Sequence, residues 1–169
     1  MRHPPADLSQ SPRDSPRPLR HPLFYDVNLR PGFEDPNTVD ELLQAATVVK
    51  CNDAELVWLQ RELSLDGDPA EALLRRYPLT ALCITLGPDG CRIHAHGETV
   101  YERPPAVAAI DTVGAGDSFS AALLHGFTNQ WPLDQTARFA NALGSLVASR
   151  RGAIPDWTLE ELYTAANLQ

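Results

Sequence analysis

From Leu23 onward, short apolar runs and helical apolar stripes alternate along the chain. Leu23-Phe24-Tyr25-Asp26-Val27 reads as a short buried strand running into a polar turn, Asn28 to Asp35. Val39, Leu42, Leu43 and Ala46 share one helix face, and Thr47-Val48-Val49-Lys50 is a second strand. Asp53 is expected to cap a helix whose inner face is Leu56, Leu59 and Leu63. Asp68-Pro69 places a cap and a first-turn proline at the start of a helix reaching about Tyr77. Ala81 to Leu86 is a third strand, after which Gly87-Pro88-Asp89-Gly90 turns into a hairpin, Cys91–Ala95 and Thr99–Arg103, around His96-Gly97. Pro104-Pro105 precedes an expected short strand, Val107 to Ile110. Three helical stripes follow: Phe119, Leu123 and Phe127; Phe139, Leu143, Leu146 and Val147; and Leu159, Leu162, Tyr163 and Ala166. Strands alternating with helices predict an α/β fold, a mainly parallel sheet covered on both faces. There is no internal repeat.

Residues 1–22 break this pattern. Six prolines, from Pro4 to Pro22, stand among Arg, Ser, Asp and His, with Leu8 and Leu19 the only large apolar side chains. Such a segment cannot bury enough surface to offset its ordering entropy, so it reads as a disordered tail ahead of a single domain, 23–169. The 169 residues, 43% hydrophobic, suffice for one core. A net charge of −8 argues against a broad nucleic-acid surface. It leaves room for an anion held by backbone N–H groups at a helix start. Cys51, Cys83 and Cys91 form an odd set without metal-ligand spacing, which suits free thiols in a reducing compartment. His94 and His96 fall on one side of an extended strand with no third ligand near in sequence, so they read as polar residues on the wet face of a hairpin. No apolar run reaches the ~20 residues of a membrane span, and the N-terminus has no signal-peptide core. The expectation is a cytoplasmic protein that does not bind a membrane.

The chemistry concentrates in Asp111-Thr112-Val113-Gly114-Ala115-Gly116-Asp117-Ser118-Phe119, between the last expected strand and a helix. Ligands of open α/β sheets bind beyond the carboxyl ends of the strands. Gly114 and Gly116 let a phosphate approach the main chain, and the helix start adds unpaired N–H donors and partial positive charge. Asp117, on the first turn, is placed to take a proton from an attacking hydroxyl. Gly-Ala-Gly-Asp alone fits an ordinary tight turn with a capping aspartate equally well.

The whole nine-residue string resembles the C-terminal signature of the ribokinase-like sugar kinases, the PfkB group. Further segments match in the family's order. Asp26-Val-Asn28-Leu-Arg30 resembles a strand-end motif of its fructokinase and 2-keto-3-deoxygluconate kinase branches. Asn52-Asp-Ala-Glu55 is similar to an Asn-x-x-Glu motif, and Thr85-Leu-Gly87-Pro-Asp-Gly90 to a nucleotide-side turn. Phe139-Ala-Asn141-Ala and Arg151-Gly152-Ala153 resemble closing segments.

This resemblance implies a ribokinase-like, Rossmann-like fold and ATP-dependent phosphorylation of a small sugar hydroxyl, fructose or a 2-keto-3-deoxy sugar acid. Asp117 would be the base, and Gly114, Ala115 and Gly116 the anion hole. Glu55, with Asn52, would help hold Mg2+; Thr85, Gly87 and Gly90 would shape the nucleotide groove, and Asn141 would line its adenine side. Arg30 would reach a phosphate or a substrate oxygen. Many members use a monovalent cation such as K+ near the Asp-Thr-x-Gly loop. Without the resemblance, Asn52 and Glu55 read as a loop residue and a solvated helix residue, Thr85-Leu-Gly87 as a strand running into a turn, and Arg30 as an exposed side chain. Asn141, in an apolar helix, needs a hydrogen-bond partner in any case.

The resemblance covers residues 23 to about 160 and corresponds to the second half of a family member. The half that supplies most of the sugar pocket and a β lid has no counterpart. The expected consequences are an open sheet edge and a homodimer or a missing N-terminal half as partner. The alternative to a working kinase is an inactive nucleotide-binding fragment, or one half of a split kinase.

Overall fold

Three parallel strands and a hairpin make one five-stranded sheet in the computed structural model, which describes residues 23–168. The Pro-rich segment 1–22, expected to be a disordered tail, lies outside the described residues. The elements run β1 (Phe24–Asp26), α1 (Pro36–Ala45), β2 (Val48–Asn52), α2 (Asp53–Glu62), α3 (Pro69–Arg76), β3 (Ala81–Thr85), β4 (Cys91–Ala95), β5 (Glu98–Glu102), α4 (Ala115–Thr128), α5 (Leu133–Ala148) and α6 (Leu159–Ala165). The strand order is β1-β2-β3-β4-β5. β1, β2 and β3 pair in parallel, and β4 lies antiparallel between β3 and β5. Four strands therefore share one direction and β4 opposes them, which is the mainly parallel α/β architecture read from the sequence.

Side-chain alternation divides the core into two layers. Val48, Ala81, Cys83 and Ile93 face α4, α5 and α6. Val49, Cys51, Leu82 and Ile84 face α1, α2 and α3. Lys50, two residues beyond Val48, points the same way as Val48, towards α4 rather than into water. This matters below.

Two local expectations are corrected. Residues 107–110 form no strand: Pro104 and Pro105 lack ladder donors, and the alanines around Val107 offer little to bury. The segment runs exposed over the surface, and the amides of Ile110 and Asp111 both donate to the Ala148 carbonyl at the end of α5. The cap of α2 is Asn52, not Asp53. Asn52 Oδ1 accepts from the Glu55 amide at 2.8 Å while Glu55 Oε2 accepts from the Asn52 amide at 2.7 Å, a reciprocal capping box. Of the histidine pair, His96 sits in the β4–β5 turn with φ +55 and His94 in β4, where Nδ1 meets Thr99 Oγ1 at 3.0 Å. Among the described residues no cluster of metal-ligating side chains forms, and no helix is long and apolar enough to cross a membrane.

All three thiols are free and buried. Burial pushes Cys51 up to about 12 and Cys83 well above its ordinary value, so neither presents a thiolate near neutrality. The native chain is expected to leave its cysteines unmodified by a thiol reagent at pH 8 and to expose all three in denaturant. Rapid modification of the folded chain would contradict this packing.

Candidate nucleotide and phosphate site

The carboxyl ends of β2 and β3 open towards α5, and the space between them is a cavity of about 890 Å3. Asn52 and Thr85 end the two strands at its floor, and Gly87 and Gly90 of the following turn form one lip. Gly90 has φ +101, and a Cβ there would fall 2.0 Å from the Glu102 carbonyl oxygen, so the turn folds against β5 only because the residue is glycine. Pro104, Pro105, Ala106 and Val107 supply an apolar wall, with Asn141 and Ser145 of α5 behind it. Asn141 is buried and its Nδ2 donates to the Glu102 carbonyl at 2.9 Å, the partner its apolar helix called for. Thr85 Oγ1 donates to the Cys51 carbonyl at 3.4 Å.

The far end of the cavity is the first turn of α4, reached through Ala115 and Gly116. Gly114 caps that helix in the left-handed conformation, φ +80, and no side chain caps it. A Cβ on Gly114 would lie 2.3 Å from the Ala153 carbonyl oxygen. The glycine thus meets two demands at once, a positive φ and backbone-to-backbone contact with the 151–153 segment. Ala115 N–H donates to the Thr112 carbonyl at 3.2 Å. Among the described residues the Gly116 and Asp117 amides donate to no protein acceptor, which leaves them as orphan donors at a helix start.

Asp111 fastens this loop. Its Oδ1 accepts from the Val113 amide at 3.1 Å and its Oδ2 from the Gly152 amide at 3.0 Å. These two bonds, Val113 first, hold the Asp111 carboxyl below its ordinary value of 3.8. A carboxylate depressed in the folded state contributes fully above the ordinary value, and its contribution is lost as pH falls through the folded one. The Gly152 amide resonance is therefore expected to stay put in an acid titration until pH drops below 3.8. A transition centred near neutrality would contradict the tie.

Asp117 follows Gly116 on the same turn, exposed and outside the cavity lining; among the described residues its carboxylate accepts no hydrogen bond. Arg30 is likewise exposed, in the loop after β1, and the structure does not bring it to the cavity. Glu55 is buried and also outside the lining. Besides closing the α2 capping box, its Oε1 accepts from the Leu29 amide at 3.0 Å, which moors the Arg30 loop to the β2–α2 corner.

Sequence reasoning missed one cluster. Asp26 and Lys50 are register partners across β1 and β2. Lys50 Nζ donates to Asp26 Oδ1 at 2.9 Å and Oδ2 at 2.8 Å, and the Lys50 side chain is 9% exposed. Ser120 Oγ of α4 lies 2.9 Å from both Asp26 Oδ2 and the Gly116 carbonyl oxygen. A Cβ on Gly116 would stand 3.9 Å from the Lys50 ammonium, so this cation lies directly beneath the loop. The signal in sequence was slight: a lysine at a strand end reads as solvated, and only the register pairs it with Asp26.

Comparison with known proteins bears on this geometry. The family described as pfkB family carbohydrate kinase matches residues 20–159. Fructokinase-1 of Oryza sativa subsp. japonica is 33% identical over 150 residues, covering 82% of this chain and 46% of that protein. Fructokinase-1 of Zea mays is 33% identical over 153 residues, with the same coverage of each. Among solved structures, a fructokinase with bound ATP from Xylella fastidiosa superposes with a TM-score of 0.75 at 24% identity, covering 86% of this chain and 52% of that one. The 2-dehydro-3-deoxygluconokinase of Thermotoga maritima gives 0.74 at 21%, covering 86% and 50%. At these identities the structures establish the fold alone. The chain spans just under half the length of the two plant fructokinases and about half that of the solved kinases.

Proposed function

The chain belongs to the pfkB family of carbohydrate kinases, and we propose that it carries the nucleotide and phosphoryl-transfer site of a kinase that phosphorylates a small sugar hydroxyl, with fructose or a 2-keto-3-deoxy sugar acid as acceptor. One observation carries the reading: a cavity of nucleotide size ends on a helix start whose Gly116 and Asp117 amides are unpaired, with a free carboxylate on that same turn. About 890 Å3 falls in the range of small-molecule pockets, roughly 300–1,000 Å3. Its Pro-Ala-Val wall suits the flat face of a purine, and the α4 end suits phosphate oxygens. ATP therefore fits the residues present.

In this reading the unpaired Gly116 and Asp117 amides hold the phosphoryl oxygens, and do so without lysine or arginine contacts from the loop itself. Asp117, exposed on the same turn, accepts the proton of the attacking sugar hydroxyl. Arg30 reaches a substrate or phosphate oxygen only if its loop swings in from where Glu55 moors it. Mg2+ would arrive on the phosphates, where it neutralises charge; such ions keep several waters and take few protein ligands. Glu55 and Asn52 stand at the β2 end of the site, and each Glu55 oxygen already accepts one backbone amide, so contact through water fits them better than a direct bond. Glu55→Gln is expected to raise the magnesium concentration needed for half-maximal ATP binding, and an unchanged magnesium titration would remove Glu55 from this role. A monovalent cation such as K+ beside the Asp111 loop, and a cytoplasmic setting with ATP and reduced thiols, belong to the same proposal.

A second reading is favoured by the edge of the sheet. Among the described residues β1 pairs only with β2, and two apolar side chains stand in the open, Phe33 87% and Ile154 95% exposed. In this reading the chain binds nucleotide but transfers phosphate only beside a partner, either a second copy or a polypeptide supplying a sugar lid. Calorimetric titration with Mg-ATP tests what the two readings share. One-site binding is expected, and its absence from a folded chain would overturn both.

A further inference from the structure

Buried ion pairs are poor investments in stability, since apolar residues of similar volume commonly serve as well. The Lys50–Asp26 pair, with Lys50 buried and Asp26 partly exposed, therefore calls for another account, and its position supplies one. It sits at the carboxyl ends of β1 and β2, on the face turned towards α4, with the ammonium beneath Gly116. A cation buried under the positive end of a helix is unfavourable unless something negative balances it. Asp26 balances it in the free chain. A phosphate on the α4 amides would be a second negative partner on the other side of the same turn.

Ser120 joins the pair to the loop. Its hydroxyl has one proton and two acceptors at 2.9 Å, the Asp26 carboxylate and the Gly116 carbonyl. A serine bonded only to the carbonyl four residues back bends its helix slightly and anchors nothing. Bonded to the Asp26 carboxylate that Lys50 grips, the stronger acceptor, it fastens the first turn of α4 to the end of β1. Lys50 in turn holds that carboxylate by both oxygens, fixing the direction from which Ser120 is gripped.

We propose that Lys50, Asp26 and Ser120 are positioning residues for the phosphate loop: the ion pair fixes, through Ser120, the aim of the Gly116 and Asp117 amides. This inference rests on the phosphate-site reading above. It makes a claim that a merely structural network would not make, namely that loosening the network weakens binding of phosphates and spares binding of the nucleoside.

The test compares ATP with adenosine by calorimetry for the parent chain, Ser120→Ala and Ser120→Thr, with thermal unfolding of each. Ser120→Ala is expected to weaken ATP about tenfold, the worth of one charge-assisted hydrogen bond, and to leave adenosine unchanged. Ser120→Thr, which restores the hydroxyl, is expected to recover most of the ATP affinity. Lys50→Met should show the same selective loss, and if that variant does not fold, the Ser120 pair decides. Equal weakening of ATP and adenosine, or unchanged ATP binding in Ser120→Ala, would overturn the positioning role while leaving the nucleotide site intact. A parent chain that does not prefer ATP to adenosine would overturn the phosphate-site reading itself, and this inference with it.

Discussion

Asp117→Asn is expected to bind Mg-ATP as the parent chain does and to lose roughly 10²–10⁴ in turnover, the usual worth of a general base. The reasoning starts from what Asp117 does not do. It is exposed, and among the described residues it neither caps α4 nor accepts a hydrogen bond from a side chain or backbone amide. Asparagine has the same shape, so neither the fold nor the amide turn before it has reason to change. What disappears is a carboxylate able to take a proton. The decisive pair of readings is turnover against ATP affinity. A loss in both together would mean that Asp117 shapes the loop rather than receiving a proton, and undiminished turnover would remove it from the mechanism.

Gly114→Ala has a second large expected effect, for steric reasons. A non-glycine residue at φ +80 carries strain on the order of 1–3 kcal/mol. The added Cβ would also lie 2.3 Å from the Ala153 carbonyl oxygen, a backbone atom that cannot rotate aside. Either Gly114 or the 151–153 segment must move, and Asp111, which bonds the Gly152 amide, would be dragged with it. The variant is expected to unfold at a lower temperature and to lose at least about tenfold in ATP affinity, given that anion binding here depends on the direction of backbone amides. An alanine at Gly144, where the nearest backbone atom is the Ala115 carbonyl oxygen at 3.3 Å, is the milder control on the same helix pair. Unchanged ATP binding by Gly114→Ala would mean that the phosphate does not sit at this turn.

The sequence pattern foretold the architecture because the alternation of apolar runs and stripes is a local property. The strands β2, β3 and β4 carry their own buried side chains, and Asp68-Pro69 announces α3 without help from the rest of the chain. The loop from Asp111 to Phe119 was legible for the same reason, since glycines and a carboxylate at a helix start have a direct chemical meaning. Two misreadings were also local. Asn52 and Asp53 are both good caps, and only the Glu55 bond back to Asn52 decides between them. Val107 to Ile110 has strand-like composition at its ends, but two prolines precede it, and among the described residues no strand pairs with it.

The Lys50–Asp26–Ser120 cluster belongs to a different category. Its members lie 24 and 94 residues from Asp26 along the chain, and no spacing rule connects them. They meet because β1 and β2 pair in parallel register and α4 crosses above their ends. Glu55 shows the same limit: its place in a motif was visible, but its grip on the Leu29 amide was not. Residues that bind ligands tend to announce themselves by type, whereas residues that aim them are found only through topology.

The central claim is transfer of a phosphoryl group to a sugar, and ADP release tests it most directly. The purified chain is incubated with Mg-ATP and, in turn, ketoses, aldoses and keto-deoxy sugar acids, with a sugar-free blank and Asp117→Asn alongside. The account predicts release that depends on one of these sugars, exceeds the blank, and disappears in Asp117→Asn. Release no greater than the blank with every sugar, from a folded chain that binds ATP, would contradict it and leave a nucleotide-binding unit that needs a partner to do chemistry.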